Sequence, residues 1–338
     1  MNSLTKLFRT GLFSFFTSIS FYGTAQAECG AVDIADMNWE SATFIAHVDQ
    51  FILENAYGCE ASLVPANTQT TGASLVNSGK PEVTPEFWSY AMKEDLDKEV
   101  EAKKIRYAGT PFADGAIEGF WVPSYMVEAN PELTTIKGVL ANAHLFMPKD
   151  NTKKASFYGC PEGWNCNISS LNLFKALNLQ SVNFQFVTPP TGTDLDIALQ
   201  EAYENKAPWF GYYWSPTAIL GRYKMVMVDF ETGVDHAEFK QCTLKPDCKN
   251  PKVTMFPTPL VQTIITEEFA KRAPKASQYL SRRGWSDSQM NEILAWMEAN
   301  QADGVAAMEH FLKNYQSTWV KWVDGKAVRD IREALNEL

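Results

Sequence analysis

Short apolar runs alternate with amphipathic windows along most of this chain, a rhythm that predicts an α/β fold. Residues 31–37 (AVDIADM) read as a first strand. A helix follows, with Ser41 as its N-cap and Gly58 at its end. Phe44, Ile45, Val48, Phe51 and Ile52 form its apolar stripe. ASLVPAN (61–67) is the next strand, and residues 82–88 form a strand or turn that delivers Trp88. IRYAGTPF (105–112) and AIEGFWVP (116–123) read as extended. Further on, KASFYGC (154–160), VNFQFVT (182–188), PWFGYYW (208–214) and KMVMVDF (224–230) are strands, with helices at 169–179 and 194–206. The last third is helical. Ser286 and Gln289 make a capping box, and 305–323 is one helix whose Phe311, Tyr315, Trp319 and Trp322 stripe belongs to the core.

The N-terminus changes the picture. Lys6 and Arg9 precede an apolar run at 11–22, too short to span a bilayer, and Ala25-Gln26-Ala27 is an A-x-A signal. Cleavage after Ala27 is expected, with export across the membrane. No later stretch is apolar enough to span a bilayer. An exported chain can oxidise its cysteines, Cys29, Cys59, Cys160, Cys166, Cys242 and Cys248. An even number fits full pairing. Sequence order favours 29–59, 160–166 and 242–248 among many connectivities, and neither C-x5-C spacing suits a zinc knuckle.

The chain carries 30 Lys and Arg against 40 Asp and Glu. Removing residues 1–27 takes away two basic residues and no acid. That balance disfavours nucleic acid and anionic lipid as partners. The four histidines, His47, His144, His236 and His310, show no metal-ligand spacing. No cofactor is expected. The acidic surface allows a structural calcium ion, but no EF-hand pattern names its ligands. The chain beyond the leader exceeds the usual single core, so two lobes are expected, with no linker between contiguous domains.

The candidate chemistry is aromatic. FYGCPEGWNC (157–166) holds Trp164 in a small loop between two cysteines, with Pro161 and Gly163 suited to a tight turn. WFGYYWSP (209–216) carries Trp214, and PEFWSYAM carries Trp88. Three preset indole faces can surround a cation that has no proton to donate. No G-x-S-x-G motif or metal-binding helix supports the competing reading, a secreted amine-processing enzyme.

GCPEGWNC, followed some fifty residues later by GYYWSP, resembles the glycine betaine/choline-type substrate-binding proteins of ABC importers. The resemblance covers essentially all of the chain after the leader. It implies a type II-like periplasmic binding protein with two interwoven α/β lobes that close about a hinge. It places lobe 1 at 28–122 plus 232–338 and lobe 2 at 123–231. It makes Trp88, Trp164 and Trp214 the ligand cage. Some glycine betaine binders place a histidine four residues after the first-lobe tryptophan; here that position is Met92. Glu118, in DGAIEGFW near the expected hinge, would repel a ligand carboxylate. MNWES, DGAIEGFW and the six cysteines together resemble the trimethylamine N-oxide-binding branch, which adds Trp39 as a fourth wall and Glu118 as a partner for the N-oxide. The expected protein is a monomeric periplasmic receptor that binds a small methylated amine and docks on its cognate ABC permease in the inner membrane. Trimethylamine N-oxide is the expected ligand, with glycine betaine, choline and dimethylsulfoniopropionate as alternatives.

Overall fold

The computed structural model describes residues 29–148 and 154–338, so the leader at 1–27 lies outside the described residues. Ten strands lie among the described residues: β1 (Gly30–Met37), β2 (Cys59–Ala66), β3 (Val83–Trp88), β4 (Ile105–Gly109), β5 (Ile117–Pro123), β6 (Ala155–Tyr158), β7 (Phe184–Val187), β8 (Gly211–Ser215), β9 (Met225–Met227) and β10 (Val261–Thr266). They form two five-stranded sheets, in the orders β2-β1-β3-β10-β4 and β7-β6-β8-β5-β9. Each sheet is flanked by helices, the α/β two-lobed architecture of periplasmic binding proteins.

Parallel pairs anchor both lobes. β1 and β2 run in register from Gly30 opposite Cys59 to Met37 opposite Ala66, and the Cys29–Cys59 disulfide ties their N-terminal ends. β6 lies parallel to β7 and β8. Parallel strands need crossover helices. Glu40–Tyr57 is the first of these. It buries Phe44, Ile45, Val48 and Ile52, and Gly58 ends it with φ 67°, a left-handed conformation suited to glycine. The carboxyl ends of β1, β3, β6 and β8 converge on the gap between the lobes, the usual ligand position in open α/β sheets.

The chain crosses between lobes earlier, and returns later, than the boundaries at 122 and 232 expected. β5, from Ile117, already pairs with β8 and β9 of the second sheet, so the first crossing lies between Gly109 and Ile117. The stretch after β9 packs on the second lobe, and it also touches the first through Tyr90, which meets Phe239 and His236. Phe256 packs on Phe120 and Tyr212, and the Asn172 amide donates to the carbonyls of Cys242, Thr243 and Lys245. The chain rejoins the first sheet only at Val261. Polar, proline-rich composition marked this stretch as connecting chain, but its few aromatic anchors decide where it packs.

The helix expected over 305–323 is interrupted. Gly304–Asn314 ends at Tyr315, and a short turn, Gln316–Trp319, follows. Phe311, Trp319 and Trp322 are buried in the first-lobe core, and Tyr315 is partly buried against it. That core also holds an ion pair with no exposed surface: Arg283 donates to both oxygens of Asp49 at 2.7 and 2.8 Å, and Tyr279 donates to Asp49 at 2.6 Å.

Candidate functional site: an aromatic cleft between the lobes

Two tryptophans form the first-lobe wall, held by one carboxylate. Trp39 follows β1 and occupies the N-cap position of the helix Glu40–Tyr57, where Ser41 was expected. It offers no side-chain acceptor to the helix. Its indole N–H donates to Glu86 Oε1 at 2.7 Å, and the Trp88 indole donates to the same oxygen at 2.9 Å. Glu86 and Trp88 stand two apart on β3, so strand alternation places them on one face. Glu86 has no exposed surface. Burial pushes its carboxyl up to about 7, and the Trp88, Trp39 and Ser41 hydrogen bonds and the Arg283 charge only partly offset this.

The second-lobe wall rests on ring packing and a disulfide. Cys160 bonds to Cys166 and closes the loop that carries Trp164. Gly163, at φ 85°, makes the turn that swings Trp164 inward. The Trp164 indole N–H donates to Asn38 at 2.8 Å, and its ring meets Trp39 and Trp214 edge-on, at centroid distances of 5.3 and 5.2 Å. The start of the helix Thr68–Ser78 clasps the loop: Gln69 N–H donates to Gly163 O at 3.1 Å, and Asn165 N–H donates to Thr68 Oγ1 at 3.0 Å. These contacts hold the lobes together around the cleft. The same ring crowds Gly192: a Cβ there would sit 3.0 Å from Trp164, so the ring would have to give by a few tenths of an ångström.

Glu118 belongs to this second wall. On the β5–β8 ladder it stands opposite Trp214, so the two share a face, and Tyr212 shares it by alternation. The Tyr212 hydroxyl donates to Glu118 Oε1 at 2.6 Å. Glu118 is half-buried and lines the cleft. Desolvation pushes its carboxyl up to about 7, against the lowering effect of the Tyr212 hydrogen bond.

Trp39, Trp88, Glu118, Trp164 and Trp214 all line one cleft of about 620 Å³, its open mouth included. Tyr90, Tyr212 and Phe239 add further rings, and among the described residues no Arg, Lys or His lines it. Met92 does not line it either: its sulfur lies against Gly72, where a Cβ would sit 2.0 Å away. Cys242 and Cys248 are also bonded, in the return stretch whose Phe239 reaches the cleft. Sequence reasoning missed Glu86, Tyr90, Tyr212, Phe239 and Asn38. For Tyr212 the signal was available, two residues from Trp214 in an alternating strand. Glu86 stood beside Trp88 in an unremarkable PEFW. Among the described residues, no group of three or more His, Cys, Asp or Glu side chains is placed to hold a metal ion.

The arrangement offers π faces, apolar contact and one carboxyl, Glu118, on the cleft surface. Residues 30–314 match the family described as the substrate binding domain of ABC-type glycine betaine transport systems. The chain belongs to that family. Solved structures agree on the fold at low identity. An ABC-transporter choline binding protein in complex with choline is 18% identical with a TM-score of 0.67, covering 91% of this chain and 98% of that one. A glycine betaine, L-proline ABC transporter binding protein from Borrelia burgdorferi is 18% identical with a TM-score of 0.67, covering 89% and 99%. Lactococcal OpuAC, closed on glycine betaine, is 19% identical with a TM-score of 0.62, covering 87% and 100%. As a family member the chain is a substrate-binding component of an ABC-type transport system.

Proposed function

We propose that this protein is an exported, monomeric receptor that binds trimethylamine N-oxide in the four-tryptophan cage and presents it to an ABC permease. The observation that carries this reading is Glu118, a carboxyl raised to about 7 that faces an aromatic cleft with no cationic side chain among the described residues. A trimethylated nitrogen has no N–H to donate, so indole faces are its natural contacts. Each desolvated contact contributes about 2 kcal/mol or more. The N-oxide oxygen is a strong acceptor, and a protonated Glu118 can donate to it in a charge-assisted hydrogen bond. Glycine betaine and dimethylsulfoniopropionate bring a carboxylate, which gains no cation here and meets Glu118.

Choline is the second reading, favoured by the same residue in its ionised form, which can accept from the ligand hydroxyl. Calorimetry with all four ligands, on the wild type and on Glu118→Gln, tests the choice. Trimethylamine N-oxide should bind most tightly, and more tightly at pH 6 than at pH 8.5, because Glu118 carries its proton below about 7. Glycine betaine binding more tightly, with no effect of Glu118→Gln, overturns the ligand assignment and leaves the receptor reading standing.

A further inference from the structure

We propose that Glu86, which does not line the cleft, orients Trp39 and Trp88 and adds to the affinity of the cage for a ligand with net positive charge. This rests on the reading of the cleft as a cage for methylated amines. Each indole has a single N–H donor, and both donors end on Glu86 Oε1, at 2.7 and 2.9 Å. Neither indole therefore has a donor left for a ligand, and its π surface is what each ring offers. One oxygen thus couples the pose of a ring that follows β1 to that of a ring at the end of β3.

The charges behind the wall do not balance. Arg283 is the positive group that acts on Glu86, yet it is committed through two bonds to Asp49, and all three side chains are fully buried. Two buried carboxylates thus face one guanidinium. Arg283 Nη1 and Glu86 Oε2 each lack a hydrogen-bond partner among the described residues, so no direct bond joins this pair. Burial holds the Glu86 carboxyl near 7, as expected for an anion without a full countercharge. A cation in the cage supplies the missing positive charge across the indoles, and a carboxylate behind them adds to their quadrupole attraction.

The test is calorimetry on the whole chain with choline, glycine betaine and trimethylamine N-oxide, using Glu86→Gln and Glu86→Leu. The carboxamide oxygen of Gln can still accept both indole bonds but carries no charge. Glu86→Gln should weaken choline, a net cation, about tenfold, and the two ligands of zero net charge about threefold or less. Glu86→Leu removes the acceptor and should weaken all three. Thermal melts of the unliganded variants check folding, and if the Leu variant does not fold, the Gln comparison decides alone. Equal losses for all three ligands in Glu86→Gln, or none, overturn the charge role. Normal binding by a folded Glu86→Leu overturns the positioning role. A wild type that binds none of the three overturns the cage reading and this inference with it; a wild type that binds, with Glu86→Gln unselective, overturns this inference alone.

Discussion

The two walls of the cleft hold the same groups in opposite ways. Each has two tryptophans and one carboxylate whose pKa is raised to about 7. In the first lobe the carboxylate stands behind the rings and receives both indole N–H groups. In the second lobe the carboxylate stands in the cleft, and the rings are held by a disulfide loop and edge-on packing. Ring orientation and ligand contact are thus separate tasks, given to different acids. A raised pKa alone does not tell which acid meets the ligand; its place relative to the rings does.

The largest effect that can break this comparison is loss of a ring. Trp214→Ala and Trp164→Ala should each weaken ligand binding roughly 100-fold, and because both rings are buried they should also lower the unfolding midpoint of the unliganded protein. Both rings stand at the margin of the second sheet, facing the cleft. Normal calorimetric binding by both variants would remove the second wall from the site.

Reduction separates the walls next. Only the second depends on a disulfide for the pose of a ring, so the paired Cys160→Ala/Cys166→Ala variant should lose about tenfold in affinity while its far-ultraviolet circular dichroism stays unchanged. Trp39 and Trp88 should respond little, since Glu86 holds them. If affinity survives loss of this disulfide, the contacts from Asn38, Trp39, Thr68 and Gln69 are enough to hold Trp164.

A smaller effect compares the two ends of the pH range. Glu118→Gln should flatten the pH dependence of trimethylamine N-oxide binding between pH 6 and 8.5. A wild type and variant with parallel pH profiles would show that Glu118 is not the titrating contact.

The smallest expected effect is on stability without ligand. The folded-state value for Glu118 is about 7, above its ordinary 4.5, so the folded chain keeps a proton that the unfolded chain has lost between those values. This contribution to stability is complete below about 4.5 and is lost as pH rises through 7. His47 and His310, both lowered by burial, push the other way on acidification. The clean measurement is therefore a difference. The melting temperature of the wild type relative to Glu118→Gln should be a few degrees higher at pH 5.5 than at pH 8. A difference that shrinks on acidification has the wrong sign for a half-buried, protonated Glu118.

Much of the cleft was legible where the signal is local. Trp164 sits between two cysteines and turn formers, and Trp214 ends an alternating strand, so short windows announce both. The PEFW strand announced Trp88 but not Glu86. An acid in a strand reads as a solvent-facing position until its partners are known, and one of them, Trp39, lies 47 residues away. The boundaries of the lobes were misplaced for a related reason. β5 belongs to the second sheet because of its pairing with β8, and pairing leaves no mark in a window of seven residues.

The sequence by itself determined the α/β rhythm, the candidate disulfide partners and the aromatic loop of the second lobe. These depend on periodicity, spacing and turn chemistry within contiguous residues. Only the tertiary structure decided that Trp39 caps a helix without a capping side chain, that one buried oxygen joins it to Trp88, and that Arg283 is already spent on Asp49. The physical reason is that a buried charge takes its meaning from neighbours brought from distant parts of the chain. Its desolvation and its partners come into being together, when β1, β3 and the C-terminal helices pack.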